Sequence, residues 1–167
     1  MIENKMQYFS KSLRAFIIIF LLVLSVGYFT GMQFVYETSK FSVNGIQQNY
    51  LGNESDENAK IMKFKKSKRE IITIIHTHIL SLSVIFFITG ILLFTTNLPV
   101  KYKRYLSIEP FISLIITFGG IYFLWTGILW TKYLIAISGF LMTISFAFSV
   151  LILLYYLVRK TPDKLIN

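Results

Sequence analysis

Chemistry has few places to reside in this chain. There is no cysteine, which excludes thiolate nucleophiles, disulfides and cysteine-ligated clusters. The two histidines stand one residue apart, as His76 and His78 in the stretch Ile74 to Ile79, just inside a long apolar run. Imidazole binds haem iron and metal ions and titrates near neutral pH. A titratable group set within such a run is costly to keep there, which makes it a functional candidate by default.

Helical geometry limits what the pair can do. Residues two apart point about 200° away from each other, so His76 and His78 cannot both bind one ion on a regular helix. The same limit excludes bis-histidine haem within one chain, leaving a His–Met pair, a five-coordinate haem or ligation across a homodimer. Met32 would be the methionine for such a pair, although a lone methionine in an apolar helix is more often packing. His76 shares its stripe with Thr73, Leu80, Ser83, Phe87 and Gly90, whereas His78 continues through Leu82, Ile85 and Thr89. Small and hydroxyl residues mark helix contacts in membranes, so His76 is expected to face the interior and His78 a flank. His76 lies only ~8 Å along the helix from Ile71, below the interface but far from the midplane.

The elements that would position these residues are four apolar blocks, about 15–36, 71–94, 106–130 and 133–158, with none of Lys, Arg or Asp in any of them. The chain has 167 residues, 54% of them apolar and 15% charged. Each block reaches the ~18–20 apolar residues that span hydrocarbon as a helix, and lipid leaves an open backbone no alternative. The fold class is therefore all-α, a four-helix transmembrane bundle in a single domain with one longer, partly helical extramembrane loop over 37–70. A signal peptide is rejected for the N-terminus because the first run is too long and lacks a small-residue cleavage site. Within the loop, Asn44-Gly45 and Gly52-Asn53 read as turns. Ser55 followed by Asp56 and Glu57 reads as a helix start, with the helix running through Lys60 to Arg69 into the second span.

Short links make the last three helices antiparallel and place certain residues in the leaflet of His76. Gln33, Tyr36 and Glu37 come from the first helix, Tyr122, Trp125, Thr126 and Trp130 from the third, and Lys132, Tyr133 and Ser138 from the fourth. The candidate ligand-lining set is His76, His78, Gln33, Tyr36, Glu37, Trp125 and Tyr133, with His76 and His78 the only metal candidates. The ligand would be haem b, a metal ion or a small polar molecule. Glu37 could fix the tautomer of a histidine. The aromatic residues are individually better explained as an interfacial belt. Glu109 and Pro110 read as the opening turn of the third helix, explained by capping and the helix dipole. Gly27 with Gly31, Gly119 with Gly120, and Ser145 with Ser149 read as small-residue packing contacts, or as a dimer face.

The net charge is +9, and the basic run Lys60 to Arg69 reads as a solvated flank facing anionic headgroups. No zinc-finger spacing or single-strand stacking platform accompanies it, so nucleic acid is not expected as a partner. With both termini cytoplasmic, the cytoplasmic side carries nine Lys and Arg and the other side eight, and the more basic N-terminal flank of the first helix favours that orientation.

Residues His76 to Gly90 and Glu109 to Gly120 resemble segments of an uncharacterised family of small bacterial four-helix inner-membrane proteins that carry a His-x-His pair in the second helix. The resemblance covers the second and third helices. It implies a bacterial inner-membrane location and carries no catalytic residue across. Two functions remain from different classes: a membrane binding protein centred on His76, or a structural or accessory subunit of a membrane complex. An enzyme ranks third, since a histidine without an acid, a nucleophile or a ligand set defines no reaction.

Overall fold

The computed structural model describes residues 6–54, 59 and 61–159. Five α-helices follow a short 3-10 turn at Met6–Tyr8: α1 Lys11–Ser39, α2 Val43–Leu51, α3 Lys68–Phe94, α4 Val100–Trp125 and α5 Thr131–Val158. Four of them, α1, α3, α4 and α5, are long and apolar enough to cross a membrane. They alternate in direction, so the start of α1 and the end of α5 lie at one end of the molecule. Arg14 joins those two termini. Its Nε donates to the Leu157 carbonyl at 2.9 Å and its Nη2 to the Arg159 carbonyl at 2.6 Å. A guanidinium there both satisfies carbonyls that have no helical partner and complements the negative end of the α5 dipole.

The centre of the bundle is the α4–α5 pair, and small residues make its close approach possible. Ser113, Thr117 and Gly120 on α4 meet a face of α5 that carries Ser138, Ser145 and Ser149, all five hydroxyl residues being buried. A Cβ on Gly120 would lie 2.9 Å from Cγ1 of Ile135. Thr117 and Ser138 exchange a hydroxyl hydrogen bond at 2.7 Å, while Ser138 also donates to the Leu134 carbonyl at 2.6 Å. Phe146 of α5 then links the outer helices: it stacks on Tyr28 of α1 at 4.1 Å and meets Phe86 of α3 at 6.4 Å between ring centroids. Between their backbones, α1 and α3 make no close approach of their own.

Several sequence expectations need correction. The segment 62–67 is not helical, and α3 begins only at Lys68. Ser67 forms a capping box, its hydroxyl accepting from the Glu70 amide at 3.3 Å while its own amide donates to Glu70 Oε2 at 2.7 Å. That reciprocal pair satisfies two free amides and outcompetes continuation of the helix back through the lysines. The proposed start at Ser55, with Asp56 and Glu57, lies outside the described residues. Asn44-Gly45 is no turn but the first turn of α2, capped by Ser42, whose hydroxyl accepts from the Gly45 amide at 2.9 Å. Glycine is needed there because a Cβ would run into the Ser39 carbonyl at the end of α1.

The third span also shifts. It starts at Val100, after Pro99, and ends at Trp125 instead of Trp130, so Pro110 is interior to α4 and Glu109 is not a cap. Lys101, Lys103 and Arg104 exclude their turn from hydrocarbon without excluding it from the helix. Of the anticipated packing contacts, Gly27, Gly31 and Gly119 have no heavy atom within 4 Å of where a Cβ would stand, so they make no close helix contact among the described residues.

Replacing Arg14 by Leu is expected to destabilise the bundle by ~1–2 kcal/mol, the range for a partly buried charge at a helix C-terminus. Reversible SDS unfolding of the detergent-solubilised protein would measure it, and an unchanged midpoint would show that the carbonyls need no cap. Single cysteines introduced at Lys11 and Lys63 should label from opposite faces of sealed vesicles.

Candidate functional site

The described residues after α2 form a strap that closes one end of the bundle. Gly52 ends α2 at φ 83°, and a side chain there would meet the Lys63 carbonyl and the Lys65 amide at 2.8 Å. Asn53 clamps the returning chain, its amide donating to the Ile61 carbonyl at 3.0 Å and its Oδ1 accepting from the Lys63 amide at 2.6 Å. Lys63 Nζ donates to the Thr38 carbonyl at 2.6 Å, and Lys132 Nζ reaches Gln47 Oε1 at 2.7 Å, so strap, α1, α2 and α5 are tied together. Tyr50 accepts the Lys66 amide through its carbonyl at 3.2 Å. Burial pushes its hydroxyl up to about 12, against the lowering effect of a hydrogen bond from Asn49, so the ring stays neutral.

Below the strap, the start of α3 and the last turns of α4 enclose a crevice of about 580 Å³. Its α3 wall is Ile72, Ile75, His76, Ile79 and Leu80. Ile115, Phe118, Gly119, Tyr122 and Phe123 form the α4 wall. Aliphatic and aromatic groups therefore surround one imidazole and one phenol, and the bare Cα of Gly119 widens the α4 side. His76 is exposed, contrary to the expected interior position. The buried stripe of α3 is Ile71, Phe86, Thr89, Gly90 and Leu93, which lies between the two histidines' faces. Gly90 does pack as the sequence suggested, a Cβ there coming within 3.3 Å of Ser107 Oγ, but its contact turns His76 to the rim of the α3–α4 seam.

His78 is exposed as well and takes the other rim. Its Nδ1 is hydrogen-bonded to the Ile74 carbonyl at 2.8 Å, and its ring stacks on buried Phe118 at 5.1 Å. With that nitrogen occupied within its own helix, His78 is fixed locally, whereas His76 has no hydrogen bond among the described residues. No group of three or more His, Cys, Asp or Glu capable of holding a metal ion occurs among the described residues.

The other candidates disperse. Glu37 pairs with Lys40 at 2.7 Å, Tyr36 lies under the same ammonium at 4.5 Å, and Gln33 is exposed on α1, which does not approach α3. Met32 meets Thr143 Oγ1 at 3.6 Å and is no partner of a histidine. Trp125 serves the strap, its Nε1 donating to the Lys66 carbonyl at 2.8 Å with Lys65 Nζ 5.3 Å from its ring. Tyr133 is exposed beneath Lys132. Of the lining set, only His76 enters the crevice. Tyr122, noted in the sequence only as a neighbour in the leaflet, supplies its second polar atom.

Residues 40–164 match a family whose description is a transmembrane helical domain. The chain belongs to that family, Aq_1264_TM. Comparison with curated proteins and with solved structures gives no match. The matched segment holds α2 through α5, and so the strap, the two histidines and both walls of the crevice, while all of α1 precedes it.

Polar groups that the sequence alone misjudged lie on α4, toward its other end. Lys103 is buried, with its Nζ 3.5 Å from the Phe94 carbonyl. Glu109 accepts from the Ser113 hydroxyl through Oε1, whereas its Oε2 and Ser107 Oγ are buried without a partner among the described residues. An interior proline beside a carboxylate would have been the signal, had the three cations at 101–104 not ended the apolar block early.

Replacing Trp125 by Phe removes the indole donor but keeps the ring. Amide hydrogen exchange across 63–67 should quicken several-fold, and unchanged exchange would show that the strap is held by Asn53 alone.

Proposed function

We propose that this multi-pass membrane protein binds a bilayer-soluble ligand in the α3–α4 crevice, with His76 as its polar or ligating contact. One observation supports this most: the single imidazole of that apolar crevice, set within a membrane-length helix, has no hydrogen-bond partner among the described residues. A flat conjugated molecule with one site for imidazole suits walls of this kind, and five-coordinate haem b is the member of that class that a lone histidine binds. A free metal ion suits them less, because the walls offer no second ligand among the described residues. Binding suits the site better than catalysis, since among the described residues no carboxylate or nucleophile lines the crevice beside His76.

In the same reading the chain lies in a bacterial inner membrane with both termini cytoplasmic, and the described residues between 40 and 67 rest on the opposite surface. The lysines at 63–68 then face anionic headgroups. The test is the optical spectrum of the protein in mild detergent, as purified and on titration with haem b. A Soret shift that saturates at one equivalent is expected, lost in His76→Ala and retained in His78→Ala. Identical titrations for the wild type and His76→Ala would remove the site.

A second reading, a structural subunit of a homodimer or larger complex, is favoured by α1. Gly27 and Gly31 leave a bare strip on a helix attached chiefly to α2 and α5. Because the chain lacks cysteine, Gly27→Cys and Gly31→Cys report cleanly: disulfide-linked dimers in membranes would support this reading, and monomers alone would oppose it.

A further inference from the structure

A second crevice, of about 500 Å³, runs down the outer face of the α4–α5 pair at the end opposite His76. Its composition changes along its length. Lys101 and Arg104, one helical turn apart, stand at the end of α4 that leaves the apolar core, with Tyr105 beside them. Deeper in, the walls are aliphatic: Ile112 and Ile116 from α4 face Ile137 and Leu141 from α5, and all four are exposed on the surface that lipid covers. Between these zones lies Glu109, whose Oε2 is buried away from the crevice, without a partner among the described residues. Along the open surface the order is thus two cations, then hydrocarbon.

The geometry points to a site for one anionic glycerophospholipid, with its phosphate between Lys101 and Arg104 and an acyl chain along Ile112, Ile116 and Leu141. The face is continuous: Ile112 follows Lys101 by eleven residues, three helical turns and ~16 Å at helical rise. The paired cations select against lipids with no net charge, as basic clusters at a membrane interface do. The site is separate from the His76 crevice, lying against the other flank of α4, and does not depend on what binds there.

Native mass spectrometry of the full chain in mild detergent, titrated with diacyl phosphatidylglycerol or diacyl phosphatidylcholine, tests it. The wild type should retain one phosphatidylglycerol with roughly tenfold preference over phosphatidylcholine. The pair Lys101→Gln with Arg104→Gln should lose that preference, and the control pair Lys11→Gln with Lys40→Gln should keep it. Equal retention of both diacyl lipids by the wild type, preference surviving in the 101/104 pair, or displacement by excess inorganic phosphate would each overturn the proposal.

Discussion

A backbone amide or carbonyl in hydrocarbon has no water to bond, and that constraint accounts for more of this structure than any single contact. It makes the apolar blocks helical and favours caps where the helices break, although α4 and α5 begin without a side-chain cap. Ser10, Ser42 and Ser67 each accept a hydrogen bond from an amide of the helix that follows. At the far end of α5, Arg14 takes up the carbonyls that the last turn leaves open. Hydroxyl side chains within the spans obey the same rule: Thr89, Thr143 and Ser149 each donate to the carbonyl four residues earlier, so they pack as small groups without carrying an unpaired donor into the core.

The exceptions gather on one stretch of α4. Pro110 lacks an amide hydrogen, so the carbonyl one turn before it loses its helical donor. Ser107 Oγ and Glu109 Oε2 are unpartnered within three residues of that proline. Unsatisfied polarity inside a membrane is expensive, and on α4 it is concentrated at a single turn. His76 is the corresponding exception on α3. The two lie near opposite ends of the bundle and on different flanks of α4, so the best-buried helix of the protein carries both crevices.

How much of this was legible depended on range. Lipid-spanning length is a local property of a run of residues, and the four apolar blocks name the four long helices; the ends at Phe94 and Val158 could be read directly because polar residues or a turn follow at once. Helix starts were less legible wherever charge lies inside the helix. Lys101 to Arg104 hid the first turns of α4, and with them the interior position of Glu109. Ser67 with Glu70 three residues on carries the full capping-box signal locally, whereas Ser55 has the cap residue type without the reciprocal glutamate.

The sequence by itself determined that this chain crosses a membrane as helices, that it has no cysteine chemistry, and that imidazole is available at only one depth. Which way that imidazole turns was not determined, because helical periodicity gives the angle between His76 and His78 but not the rotation of α3 against its neighbours. That rotation is set by distant packing: Gly90 against Ser107, and Phe86 against Phe146. Likewise, whether Glu37 could reach a histidine depended on the separation of α1 and α3, which Phe146 holds apart by standing between Tyr28 and Phe86. Contacts between helices far apart in the chain decide orientation, and a membrane sequence records them poorly because lipid and protein interior are equally apolar.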